Sequence, residues 1–236
     1  MTEYSGSTSR LFEALVFDLD GVIVDTERLI HAVWTDLFAE HGCSFTAAEW
    51  ATAIGTAGGF SPYEALVMRS NVVPPTSEEI DRRVETLVGA QLRESGPLRG
   101  VRAWVEEAEC RGLAVAIASS SPAEWVEARL TDVGLLAHFE VRATRSAVLP
   151  AKPEPDLYLE ACRRLSVAPA RALAVEDSLH GLTAAVAAGL TCVAVPGPLT
   201  AHLDFSSAAF VVDSLESFPL GQVLANLDLR GEATRS

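Results

Sequence analysis

Near the N-terminus an apolar stretch, Leu15-Val16-Phe17, runs directly into Asp18-Leu19-Asp20-Gly21. A buried strand gains nothing in packing by ending on two carboxylates. Such groups repel each other and are costly to desolvate, so a pair near a core requires a cation or a proton. Alternate residues of an extended strand point to the same side, which lets Asp18 and Asp20 face one site. Gly21 then permits a sharp turn. The run predicts a strand with a metal-assisted site at its end.

Other short apolar runs read as buried parallel strands: Ala14–Phe17 itself, Leu113–Ala118, Ala172–Val175, Thr191–Val195 and Phe210–Val212. Helical patterns separate most of them. This is the βαβ signature of an α/β fold with a doubly wound, parallel, Rossmann-like sheet. The second run ends in Ser119-Ser120-Ser121, the third in Glu176-Asp177-Ser178 and the fourth in Pro196-Gly197. Open α/β sheets form their sites at the carboxyl ends of strands. Three of these ends carry groups suited to metal or phosphate.

The connection between the first two strands, residues 27–95, is too long for one helix. Thr46-Ala47-Ala48-Glu49, Ser61-Pro62-Tyr63-Glu64 and Thr76-Ser77-Glu78-Glu79 each match a capping box. We read this stretch as an inserted α-helical cap domain, with 1–26 and 96–236 forming the core domain. Gly96-Pro97-Leu98-Arg99-Gly100 returns the chain to the core. The ends, up to Arg10 and from Gly231, read as disordered.

A net charge of −14 argues against nucleic acid or an anionic membrane as partner. Any phosphorylated ligand must therefore meet local positive charge. No apolar run is long enough to span a membrane, and Met1 to Arg10 lacks an apolar signal core, so a cytoplasmic protein is expected, as a monomer or small homo-oligomer. Cys43, Cys110, Cys162 and Cys192 are scattered and read as reduced thiols. Lys152 is the only lysine against seventeen arginines. Position 152 thus reads as one that needs a compact ammonium rather than a guanidinium.

The run Phe17–Glu27 resembles the first motif of the haloacid dehalogenase superfamily, in particular its capped phosphatases. Three further motifs follow in the order of that family: Ser119, Lys152 within Ala151-Lys152-Pro153-Glu154-Pro155-Asp156, and Glu176-Asp177. The resemblance implies that Asp18 is a nucleophile toward phosphorus and that Asp20 serves as general acid, then base. It implies a Mg²⁺ cofactor held by Asp18, the Asp20 carbonyl and Asp177, with Glu176 alongside or through water. Lys152 and Ser119 would bind the phosphate, joined by the Ser120 backbone N–H. Ser121-Pro122-Ala123-Glu124 reads as a further capping box, with Ser121 as the helix cap. Asp25 reads as structural.

Dehalogenases of the family lack the second aspartate, so Asp20 points to phosphoryl transfer. Phosphonatases use a cap lysine, and this cap has none. β-Phosphoglucomutases carry cations around a cap loop; the matching stretch Ile54–Ser61 is uncharged, although Arg69 follows downstream and Arg28 could reach in from the first cap helix. The expected activity is hydrolysis of a small phosphorylated metabolite, a sugar phosphate or phosphoglycolate. A phosphosugar mutase and a catalytically idle binding or regulatory protein are the alternatives. Gly58-Gly59 reads as a mobile or closely approached loop, Phe60 as a contact for a small apolar or sugar face, and His31 and His41 as cap residues able to face the cleft.

Overall fold

The computed structural model describes residues 11–55 and 60–233. Six strands form one parallel sheet: β1 (Ala14–Phe17), β2 (Ala114–Ser119), β3 (Val141–Thr144), β4 (Ala172–Glu176), β5 (Thr191–Ala194) and β6 (Phe210–Val211). Their spatial order is β3-β2-β1-β4-β5-β6. The chain builds outward from β1 through β2 to β3, then crosses back to the other side of β1 to lay down β4. That reversal makes the carboxyl end of β1 the topological switch point, where ligands of open α/β sheets bind.

Side-chain size differs between the two faces of the sheet. Leu15, Phe17, Val115, Ile117, Leu173 and Val175 enter one apolar cluster; Ala14, Val16, Ala116, Ala118, Ala172 and Ala174 enter the other. The small face lets α7 (Asp156–Leu165) and α8 (Leu179–Ala187) approach closely, while α5 (Val101–Cys110), α6 (Ala123–Asp132) and α9 (Leu220–Ala233) cover the large one. All four residues of β1 are buried, as both faces of a central strand must be.

Between β1 and β2 stand α1 (Thr26–Glu40), α2 (Ala47–Ala51), α3 (Pro62–Arg69) and α4 (Ser77–Ser95). Thr46 and Thr76 form full capping boxes, and Ser61 accepts from the Glu64 N–H. A ladder of rings holds these helices together: Phe45 stacks on Phe38 at 4.9 Å and on Phe60 at 5.9 Å. Phe60, half-buried, takes part in this packing. α4 ends at Gly96, and the Leu98 N–H donates to the Ile23 carbonyl at 2.8 Å, which seats the returning chain on the core.

Three expectations change. The strand β3 has no counterpart among the predicted runs. The C-terminal helix continues through Gly231 to Ala233, where disorder was expected. Ser121 does not cap α6: Pro122 stands at that position and no side chain caps it. Residues up to Arg10 and the loop Thr56–Gly59, with the expected mobility of Gly58-Gly59, lie outside the described residues. No helix among the described residues is long and apolar enough to cross a membrane.

Trp104 of α5 is buried and donates from Nε1 to the carbonyls of Leu215 at 3.0 Å and Phe218 at 2.9 Å, pinning the approach to α9. Trp104→Ala is expected to cost about 3–5 kcal/mol of stability, measurable by urea unfolding.

Candidate active site

Strand register assembles the site. Phe17 pairs with Ile117 on one side and Val175 on the other. One residue further, Asp18 emerges between the ends of β2 and β4, and its N–H donates to the Val175 carbonyl at 3.0 Å. Ser119 and Glu176 close those two strands. Gly21 takes a positive φ of 90°, and a Cβ there would lie 2.0 Å from Asp177 Oδ2. Only glycine can make this turn while Asp177 is so near.

Lys152 sits at the centre. Its Nζ donates to Asp18 Oδ1 at 2.6 Å and to Glu176 Oε1 at 2.6 Å. The same Glu176 oxygen accepts from the Tyr158 hydroxyl at 2.5 Å, and Oε2 accepts from the Asp177 N–H and the Ser178 hydroxyl. Both oxygens of Glu176 are thus engaged by donors. Gly181 gives this carboxylate its room, since a Cβ there would lie 1.9 Å from it. Burial alone would lower the Lys152 pKa, but Asp18 and Glu176 outweigh it and hold the ammonium above its usual value.

Asp20 is oriented by α1 and α6. Its Oδ1 accepts from the Thr26 hydroxyl at 2.6 Å and Trp125 Nε1 at 2.9 Å; its Oδ2 accepts from the Ser121 hydroxyl at 2.7 Å. Trp125 in turn lies under the Arg129 guanidinium, 4.4 Å from its ring centroid, and buried Arg129 pairs with Glu85 of α4 at 2.8 Å. A continuous chain of contacts therefore links Asp20 to the inserted helices. Thr26, Ser121, Trp125 and Tyr158 were not among the residues singled out for these roles; Ser121 and Trp125 reach Asp20 across more than a hundred residues.

A cavity of about 210 Å³ opens on Asp18, Asp20, Ser119 and Ser120. The Ser119 hydroxyl accepts from the Ser121 N–H at 3.1 Å, so its own hydrogen is available to a ligand. The Ser120 hydroxyl donates to the Gly55 carbonyl at 3.0 Å and accepts from the Lys152 N–H at 3.2 Å. Its backbone N–H is what it can offer a phosphate. Gly55 reaches in from the inserted helices, and Ile54 beside it meets His180 Nδ1 at 3.0 Å.

The acids also fit a cation. Asp18, Glu176 and Asp177 each place an oxygen within 4.8 Å of the others, all buried. Asp177 Oδ1 is buried without a hydrogen-bond partner, and so is Glu27 Oε2. Burial raises the Asp18 carboxyl to about 7 despite the opposing Lys152 charge. Burial, then the charges of Asp18 and Glu176, also pushes Asp177 well above the carboxylate range. One ammonium does not satisfy this cluster, and a hard, oxygen-binding divalent ion matches the donors left over.

The remaining candidates lie elsewhere. Arg28 pairs with Asp25 at 2.5 Å, which gives Asp25 a structural partner. Arg69 pairs with Glu49 at 2.6 Å and bonds the Ser44 carbonyl. His31 packs against Phe45, and His41 bonds the Leu37 carbonyl at the end of α1; neither lines the catalytic cavity.

Two outcomes follow from this geometry. Lys152→Met leaves buried acids without their ammonium, and a loss of about 3–5 kcal/mol is expected on urea unfolding; parental stability would show that another group neutralises them. Gly181→Ala should displace Glu176 and loosen Lys152, lowering turnover by about tenfold or more, with helical circular dichroism retained.

Comparison with known proteins agrees with this geometry. The profile of haloacid dehalogenase-like hydrolases matches residues 15–195. The chain is 37% identical to the putative phosphatase YhcW of Bacillus subtilis, covering 92% of this chain and 99% of that protein. It is 31% identical to hexitol phosphatase B of Escherichia coli, over 81% and 87%. The crystal structure of CbbY from Rhodobacter sphaeroides in complex with phosphate superposes with a TM-score of 0.74 at 31% identity, covering 89% of this chain and 98% of that one. The chain belongs to the haloacid dehalogenase-like hydrolases and, with these relatives, to their phosphatases.

Proposed function

We propose that this phosphatase hydrolyses a small sugar phosphate or phosphoglycolate-type metabolite through a phosphorylated Asp18, with Mg²⁺ as cofactor. The observation that carries the reading is the Asp18–Lys152 pair, with Asp18 facing the cavity and Lys152 behind it. Lys152 holds Oδ1, which leaves Oδ2 to attack phosphorus as the bond to the leaving oxygen breaks. Asp20, held by Thr26, Ser121 and Trp125, delivers a proton to the leaving oxygen. It then takes one from the water that cleaves the acyl phosphate. The Ser119 hydroxyl and the Ser120 N–H bind phosphoryl oxygens. Asp18, the Asp20 carbonyl and Asp177 would hold Mg²⁺, with Glu176 acting through its grip on Lys152 or through a bridging water. The ion would offset charge on the phosphoryl oxygens.

The inserted helices, 27–95, act as the cap that selects the substrate. Arg28 and Arg69 are committed to Asp25 and Glu49, so neither offers a mutase-like grip on a second phosphate. The two cap arginines thus take no part in holding a bisphosphate, which supports water as the acceptor.

Purified protein should turn over p-nitrophenyl phosphate or acetyl phosphate with Mg²⁺ and lose that activity in EDTA. Asp18→Asn should be inactive, and Lys152→Arg should lose about a hundredfold or more, because a planar fork cannot replace a point charge held by two carboxylates. Near-parental turnover by Lys152→Arg would refute the role assigned to the ammonium. Glucose 6-phosphate accumulating from β-glucose 1-phosphate plus a trace of bisphosphate, without free phosphate, would favour the mutase instead.

Trp125→Phe removes one donor from Asp20. It should slow hydrolysis of alkyl phosphates more than that of p-nitrophenyl phosphate, whose leaving group needs little protonation. Equal slowing of both would deny Trp125 a part in proton transfer.

A further inference from the structure

We propose that Arg145 forms a subsite for a second anionic group, a carboxylate or phosphate, on the metabolite being dephosphorylated. This inference rests on the phosphatase reading above and narrows its substrate class.

Arg145 follows β3 directly and lines the catalytic cavity beside Ser120. Among the described residues lining that cavity it is the one cation. Lys152 lies behind Asp18, buried and committed to two carboxylates. Two hydrogen bonds fix Arg145 in place: its N–H donates to the Ser119 carbonyl at 3.2 Å, and Nε donates to the Ser120 carbonyl at 2.9 Å. The two terminal nitrogens have no protein partner among the described residues. Arginines elsewhere in this acidic chain are usually paired, as Arg69, Arg83, Arg93 and Arg163 are with Glu49, Glu40, Asp132 and Glu160. Arg145 stands at the cleft, anchored through one edge, with its fork unspent.

A guanidinium fork binds carboxylate or phosphate through two parallel hydrogen bonds, which suits a planar or tetrahedral oxyanion. The transferred phosphoryl has its own partners in the Ser119 hydroxyl and the Ser120 N–H. What Arg145 adds is a cation at the rim, where Asp20 and Glu27 would otherwise repel an incoming anion. The cavity, about 210 Å³, is smaller than the usual drug-sized pocket. A ligand that reaches both Asp18 and Arg145 is therefore short, with its two anionic groups a few bonds apart.

The test uses matched pairs with Mg²⁺. 3-Phosphoglycerate differs from glycerol 3-phosphate by a carboxylate, and glycerol 1,3-bisphosphate differs from glycerol 3-phosphate by a second phosphate. The parent enzyme is expected to favour the two-anion member of at least one pair by about tenfold or more in kcat/KM, the range of a charge-assisted hydrogen bond. R145A and R145Q should erase that preference, chiefly through KM, and the pair affected tells carboxylate from phosphate. A parent without preference, or equal losses on both members of each pair, would overturn the proposal; the second result would put Arg145 on the transferred phosphoryl. The same compounds are also read as shifts in Tm. Protection by a two-anion compound that R145A abolishes, in a protein without turnover, would uphold the subsite and sink the phosphatase reading. Turnover without preference would do the reverse.

Discussion

One ammonium buried between two carboxylates holds this site together. Lys152 bridges Asp18 at the end of β1 and Glu176 at the end of β4, so it ties the two strands that flank the switch point. Removing the ammonium would leave two carboxylates unpaired in the interior, the costliest kind of defect. The neighbours serve this bridge. Tyr158, Ser178 and the Asp177 N–H all donate to Glu176, and Gly181 clears the space it occupies. The cluster remains short of positive charge, as the unpartnered Asp177 Oδ1 and the raised Asp177 and Asp18 show. The folded core thus carries a buried acidic cluster that could hold a metal ion.

A second network works on Asp20 by different means. Among the described residues no cation touches it; three neutral donors, from α1, from the turn after β2 and from α6, fix its direction. The two aspartates of the opening run therefore sit in unlike environments, one against an ammonium and one among hydroxyl and indole donors. Unlike surroundings are what allow two similar groups to take different chemical parts.

Much of the fold was legible because its central strands are buried on both faces and read as continuous apolar runs. β3 was not. Its residues, Val141-Arg142-Ala143-Thr144, lie at the sheet edge, and only Ala143 is buried, so the run carries a charge and lacks an apolar signal. The adjacency of Asp18, Ser119, Lys152 and Asp177 followed from motifs at strand ends. The partners of Asp20 did not, because Ser121 and Trp125 lie more than a hundred residues away from it. Ser121 also shows how a local pattern misleads. Its Ser-x-x-Glu spacing matches a capping box, yet the helix starts at Ala123 and the hydroxyl is drawn to Asp20 instead. Arg145 gave no signal beyond being an arginine in a loop.

The inserted helices meet the catalytic rim through main-chain atoms. The carbonyls of Ile54 and Gly55 receive His180 and Ser120, and Gly55 has no side chain to interpose, with Ser178 so close that a Cβ would overlap its hydroxyl. The core supplies side chains to this contact, but the insert supplies only backbone carbonyls. Residues elsewhere in the insert are then free to diverge while the seal persists. Descendants of such a scaffold could change what they accept without relearning how to shut.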